Sequence, residues 1–574
     1  MHQVSEYDAH RHKIFFDRYA LKRPDGRPIE ATPGDMFTRV AQAVARDVEQ
    51  ANRFHGWMRE FAFVPGGRIL AGAGGKRSAT LYNCFVIGLR DLTGSHGCDS
   101  RVSIMKMMTR MVEINARGGG VGINWSALRP SGSYIRGVDG QSSGPNGWMR
   151  GADALSNQIR QGGSRTAALM FMLDDWHPDA PEFARTRQRF LRANFSIGVS
   201  DAFMGALASG GMWHTIFPRL DHIDYDRDWC GSTSVWSGDV VEYDCLPAET
   251  MWRDMAESAH AIGSPGVVFI DRCHRASNTW YRGRIVGTNP CGEQPLPEDG
   301  CCNLGAVNLA AFWNEVSGGM DMEALRGCVG DAVEFLDRVV DVSPPMDARI
   351  DAEQAECRRV GLGTMGLADV LILHGIRYGS DESLGFIDDL YAFIRDCAYE
   401  RSIALAEELG PAPGYTQQLL DSGFAQTLPQ WIRDGIATHG IRNLTLLTQA
   451  PTGTTSALAG ASSGIEPVFA ARYTRTDATG CHVVEHPLFS TPKMAVGDEL
   501  VTAMEITPLR HVLVQAEVQR YVDASVSKTV NLPESATAED IAYIFRLAYD
   551  LGCKGITAYR DKSGEGVYCE ECRL

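Results

Sequence analysis

From about residue 70 to residue 560, short apolar runs alternate with longer amphipathic segments, and this alternation constrains the fold more than any other feature. The runs include CFVIGL (84–89), GVGINW (121–126), ALMFML (168–173), FSIGVS (195–200) and GVVFID (266–271), each bounded by Gly, Asp or Ser. Segments such as VSIMKMMTRMVEINA separate them at helical spacing. Short continuous apolar runs divided by helices suit parallel strands buried on both faces, so the pattern predicts an α/β architecture. Ahead of it, residues 12 to 70 read as helical: MFTRVAQAVARDVEQANRFHGWMREFAF carries apolar residues three and four apart, until Pro65-Gly66-Gly67 breaks the pattern. The last residues, KSGEGVYCEECRL, are polar and Gly-containing and are expected to be flexible. Three regions follow: helical over 1–75, α/β over 76–561 and a tail over 562–574.

Composition excludes several classes of function. With 574 residues, 44% of them hydrophobic, the chain can bury a large core. A net charge of −16 without a dense Lys/Arg cluster argues against a nucleic-acid partner. Free nucleotides stay open, because backbone N–H groups can hold phosphates locally. MHQVSEYDAHRHKIFF lacks the apolar stretch of a secretory signal, and no apolar run reaches the roughly 18 residues of a bilayer span. A soluble cytoplasmic protein without a membrane partner is expected. There, fifteen cysteines are mostly reduced, and a pair that does oxidise is a catalytic candidate.

The most informative segment is TNPCGEQPL (288–296). Pro290 drives Asn289 toward an extended conformation, and Gly292 relieves local crowding. In an extended loop Asn289, Cys291 and Glu293 would project the same way. The amide can hold a hydroxyl and the carboxylate can take its proton. The same residues would also suit a buried Cys in a Pro/Gly turn. Cys302 follows in a strand-like CCNLGAVNL (301–309), and Cys84 opens another in LYNCFV (81–86). APTGTTS (450–456) precedes an Ala-rich stretch, where hydroxyls and free N–H groups form either an anion site or a plain N-cap.

These segments, together with GGGVGINWSALRPSGSYIRG (118–137), RRVGLGTMGLADVL (358–371) and GCKGITAYRDKS (552–563), follow one another along the chain in family order and resemble ribonucleotide reductases, specifically the adenosylcobalamin-dependent branch. The resemblance implies a ten-stranded α/β barrel of two five-stranded halves, with a finger loop at its centre and a small N-terminal helical domain. It implies that Cys291 carries a transient thiyl radical, that Glu293 takes the 3′-hydroxyl proton, and that Asn289 holds the ribose hydroxyls. Cys84 and Cys302 would supply two reducing equivalents and end as a disulfide, while Cys301 is structural. Substrate contacts would come from Asn83, Gly120, Pro290, Gly292, Pro451, Thr452, Gly453, Thr454 and Thr455. A deoxynucleoside triphosphate effector would meet Asp91, Arg129 and Arg136, with Gln161–Thr166 as a second loop that lacks the usual double arginine. Cys569 and Cys572 would shuttle electrons from a thioredoxin- or glutaredoxin-type reductant. A homodimer is allowed.

Some family features are missing. No ATP-binding cone is expected ahead of the matching core, and the glycyl-radical motif and a second CxxC do not occur in this sequence. Thr557 and Ala558 stand where partner-dependent relatives carry two adjacent tyrosines, which favours adenosylcobalamin as the radical source. The nearest match to a cobalt-ligating Asp-x-His-x-x-Gly, Asp175 to Ala180, lacks the glycine and reads as a loop. No metal site is expected. The alternatives are a catalytic subunit that needs a radical-generating partner, or a non-catalytic nucleotide-binding regulator.

Overall fold

The computed structural model describes all residues except 1–8, 76–78, 91–95, 160–166, 186–189, 191–192, 478–479, 487, 489–498, 562 and 564–574. Ten strands form the main sheet. They are β1 (Phe63–Pro65), β2 (Cys84–Val86), β3 (Gly120–Asn124), β4 (Leu169–Asp174), β5 (Ala193–Val199), β6 (Gly266–Phe269), β7 (Cys301–Asn308), β8 (Val360–Met365), β9 (Thr529–Leu532) and β10 (Gly555–Arg560).

Strands β2 to β6 pair in sequence order, all parallel. Helices Arg101–Ala116, Gly144–Ser156, Asp201–Ser209 and Ala248–Ile262 lie in their crossovers. A second parallel set begins with β7 and β8 and ends with β9 and β10. Between them, segment 445–449 bridges the gap: Leu362 on β8 pairs with Leu447, and Gln449 pairs with Val526 just ahead of β9. The two sets meet antiparallel at β2–β7 and β6–β10. With segment 445–449 counted, two five-stranded halves close into a barrel, as the sequence resemblance implies. The apolar runs become its strands because both faces are covered: β4 and β7, for example, are buried almost throughout.

The N-terminal region is helical in its first part, with helices Pro33–Val44 and Val48–Arg59. Thr32 and Asp35 form a capping box on the first, and Asp47 accepts from the Gln50 amide on the second. The helical reading fails at Phe63–Pro65. This short run is β1, antiparallel to β7 beside β2, with only the brief helix Gly67–Gly72 after it. Three residues are too few for periodicity to separate a strand from the end of a helix.

A hairpin of Ile285–Thr288 against Pro295–Pro297 enters the barrel and carries the loop 289–294 at its tip. Both halves grip it. Asn124 Nδ2 donates to the Val286 carbonyl at 2.8 Å, and Asn194 Nδ2 donates to the Pro290 carbonyl at 3.1 Å. From the other side, Thr448 Oγ1 and the Ser525 amide both donate to the Glu293 carbonyl, at 2.7 and 3.0 Å.

Candidate active site

The loop at the hairpin tip is a tight turn rather than the extended segment its sequence suggests. The Gly292 amide donates to the Asn289 carbonyl at 3.1 Å, and the Asn289 amide donates to the Gln294 carbonyl at 3.2 Å. Gly292 sits at φ +81°, a conformation that the missing Cβ makes accessible. Asn289, Cys291 and Glu293 still converge, but through the turn: Asn289 and Glu293 flank it, and Cys291 occupies its tip.

Asn289 and Glu293 are each 2% exposed and both reach Cys84, which is 1% exposed. Asn289 Nδ2 donates to Cys84 Sγ at 3.1 Å, and Cys84 Sγ donates to Glu293 Oε1 at 3.6 Å. Cys84 lies directly opposite Cys302 in the β2–β7 pairing, and the two pack together with Leu304. Strand alternation sends the neighbouring Cys301 to the other face, into the packed interior beside the helices, where it serves the core. Cys291 is exposed, in contrast to the buried pair.

Cys84, Asn289, Cys291 and Glu293 line one cavity of about 340 Å³. Asn83, Gly120, Pro290 and Pro451 to Thr455 line it as well. Gly292 does not, and faces a second cavity instead. Gly120 is where the chain crowds the turn: a Cβ there would come within 2.9 Å of the Pro290 ring. The threonine turn leads into helix Gly453–Ala459, yet it is not an N-cap, because Thr452 makes no capping bond. Its hydroxyl instead accepts from the Gly464 amide at 2.8 Å, while Thr454 Oγ1 meets the Tyr19 hydroxyl at 2.6 Å. The first-turn amides therefore receive no cap from the Thr452 side chain.

Burial sets the ionisation of the site. It raises Glu293 above the ordinary carboxylate value. Burial also raises the Cys84 thiol well above its usual range, and Glu293 beside it adds to the shift. Burial raises Cys302 too, opposed by the Arg359 guanidinium. Both thiols are held as S–H. Glu293 Oε2 and Asn83 Oδ1 are buried without a hydrogen-bond partner among the described residues, so two acceptors stand at the cavity wall for hydroxyl groups to use.

One contributor has no signal in the sequence. Arg68, on the short helix Gly67–Gly72, is the only cationic side chain among the described cavity-lining residues. A lone Arg after two glycines looks like any surface residue, and only the packing of β1 beside β2 brings it here.

Two family comparisons cover nearly the whole chain. Residues 6–78 match the ribonucleotide reductase all-alpha domain, and residues 82–559 match the ribonucleotide reductase barrel domain. The chain belongs to the ribonucleotide reductase family. Among its relatives is a vitamin B12-dependent ribonucleoside-diphosphate reductase of Mycobacterium tuberculosis, 35% identical over 96% of this chain and 79% of that one. A protein of the same name from Thermoplasma acidophilum is 36% identical over 89% of this chain and 65% of its own. A ribonucleoside-diphosphate reductase subunit alpha of Chlamydia muridarum is 28% identical over 81% of this chain and 48% of its own.

The other expected sites lie apart. Arg129 and Arg136, candidate effector contacts in a ribonucleotide reductase, share a separate cavity of about 590 Å³ with Arg219 and Tyr225. Asp99 accepts from Arg129 Nε at 2.5 Å and from the Tyr225 hydroxyl at 2.8 Å, which fixes the first arginine in place. Arg136 is exposed and donates to the Leu220 carbonyl at 3.1 Å. Asp91, Gln161–Thr166, Cys569 and Cys572 lie outside the described residues. No described helix is long and apolar enough to cross a membrane.

Proposed function

We propose that this chain reduces ribonucleoside diphosphates to 2′-deoxyribonucleotides as an adenosylcobalamin-dependent catalytic subunit. One observation carries the proposal above the rest: an exposed thiol, a buried carboxylate, an amide and the buried Cys84 thiol meet at one cavity, with Cys302 paired opposite Cys84 just behind the wall. In the overall reaction the substrate loses its 2′-hydroxyl as water, while Cys84 and Cys302 lose two electrons and two protons and become a disulfide. Cys291, as a thiyl radical, takes the 3′ hydrogen and later returns it. Glu293 accepts the 3′-hydroxyl proton through Oε2, and Asn289 and Asn83 orient the ribose hydroxyls. The amides of Thr452 to Thr455 hold the phosphates, with Arg68 supplying positive charge.

The reactive end of the radical source is assigned here to a second cavity. Cys291 and Gly292 also border a space of about 270 Å³ beyond the turn, lined by Ser196, Gly266, Gly555 and Thr557. A Cβ on Gly266 would crowd Ser196 and Thr557 at 3.0 and 3.1 Å, so its absence helps form this cradle. Thr557 stands where a tyrosine would have filled the space, while Ala558 is buried. These residues would hold the reactive end of adenosylcobalamin, which when bound supplies a carbon-centred radical by homolysis. Cys291 borders both cavities and so would stand between that source and the ribose, while neither Cys84 nor Cys302 lines the second.

Further roles rest on the family resemblance. A deoxynucleoside triphosphate effector binds at Arg129 and Arg136, with Asp91 contributing. A thioredoxin- or glutaredoxin-type protein reduces the Cys569/Cys572 tail. A homodimer and a cytoplasmic location complete the proposal. The test is turnover by the purified chain alone with a ribonucleoside diphosphate and a small dithiol. Deoxynucleotide that forms only with adenosylcobalamin supports the proposal; a requirement for a second protein subunit refutes it.

A further inference from the structure

We propose that the hairpin of Met212–Pro218 and Val240–Pro247 carries a zinc site formed by His214, Glu242 and Cys245. The three residues are exposed, and one ligand atom from each lies within 4.8 Å of the others. His214 Nδ1 is 3.0 Å from Glu242 Oε2, and Cys245 Sγ is 3.8 Å from the other ring nitrogen. Around a tetrahedral zinc, ligand atoms about 2.0 to 2.3 Å from the ion stand roughly 3.3 to 3.8 Å apart. Only one ring nitrogen can bind the ion, so with Nε2 beside Cys245 the exposed Glu242 carboxylate must turn from Nδ1 toward the ion to complete the set.

The register shows how the site is assembled. Glu242 and Cys245 are three residues apart, so in a regular strand they would point to opposite faces. His214 pairs with Cys245 and Thr215 with Asp244, but Ile216 pairs with Glu242, so Tyr243 is an extra residue. This bulge restores the parity and puts Glu242 and Cys245 on the face that carries His214. An imidazole, a thiol and a carboxylate make a mixed N/S/O set that suits zinc, with a fourth position left to water. The ion would tie the two strands together across the bulge. Pro218, Val241 and Tyr243 of the same hairpin line the cavity that holds Arg129 and Arg136, so the clamp would stiffen one wall of that cavity.

The test is a cobalt(II) titration, with zinc competition, of the full chain carrying Cys569→Ser/Cys572→Ser, which removes the tail CxxC as a competing ligand. One equivalent of cobalt with a thiolate-to-metal absorption band, displaced by zinc, is expected. Cys245→Ala should abolish that band. His214→Ala and Glu242→Gln should each weaken binding at least about tenfold, with circular dichroism and thermal unfolding of the metal-free chain unchanged. Uptake that is the same with and without Cys245 overturns the site. So does an effect of Cys245 without one of His214. Failure to bind at all leaves His214–Glu242 as an ordinary surface ion pair.

Discussion

Gly122→Ala tests whether the barrel wall positions the catalytic turn. Gly122 lies on β3 where the hairpin passes closest, and a Cβ there would overlap the Thr288 carbonyl oxygen. Restoring even the 3.0 Å limit below which real Cβ contacts essentially never occur requires a shift of more than about 1 Å. Thr288 is three residues from Cys291 and its oxygen belongs to backbone, so the shift passes to the turn rather than to a rotatable side chain. Misplacing a reacting group by about 1 Å costs on the order of 10²-fold in rate. Overpacking of a well-filled site costs about 1–3 kcal/mol of stability. The expected outcome is a folded protein, modestly destabilised in a thermal melt, with kcat reduced about 10²-fold. Gly120→Ala, which meets the Pro290 ring at 2.9 Å, requires a displacement of only a few tenths of an ångström and should cost less rate. Steady-state kinetics alongside thermal unfolding of both variants separates the effects. If Gly122→Ala folds and turns over within a few-fold of the parent, the wall does not position the turn.

Other expectations follow from the same geometry. Cys291→Ser should abolish reduction while leaving unfolding temperature and nucleotide binding near normal; substantial turnover would remove Cys291 from the mechanism. Glu293→Gln should lower kcat about 10²-fold and yet stabilise the fold at neutral pH, as unfolding scans across pH would show. The sign follows from the raised ionisation of the buried acid, which penalises the folded state as pH rises through the folded value. The gain should vanish below about pH 4, where the acid is protonated in both states. Cys569→Ser/Cys572→Ser should stop repeated turnover with a protein reductant, and a small dithiol should restore part of the rate.

Much of this architecture was legible in the residues because the chemistry-bearing side chains sit in short, distinctive contexts. Cys291 between Pro290 and Gly292, and Cys302 within an apolar strand, mark themselves, and the runs at 84–89, 121–126, 168–173, 195–200 and 266–271 all contain strands. The turn at 289–294 was not legible, since Pro290 favours extension before it while the positive φ of Gly292 reverses the chain after it. Segment 445–449 closes the barrel, but its sequence, Thr-Leu-Leu-Thr-Gln, carries only two adjacent apolar residues. The cavity beyond Cys291 draws on Ser196, Gly266 and Gly555, residues that only the closed barrel brings together. Arg68 and the bulge at Tyr243 depend on strand pairing, which local periodicity does not encode.

The most direct test of the central claim is a single turnover followed by disulfide mapping. The chain carrying Cys569→Ser/Cys572→Ser is reduced, freed of reductant, and mixed with adenosylcobalamin and a ribonucleoside diphosphate. Product is counted and cysteine-containing peptides are identified by mass spectrometry. The account requires about one deoxynucleotide per active chain, matched by one new Cys84–Cys302 disulfide, with neither formed in Cys291→Ser. Product without that disulfide, or with a disulfide between other cysteines, would contradict it.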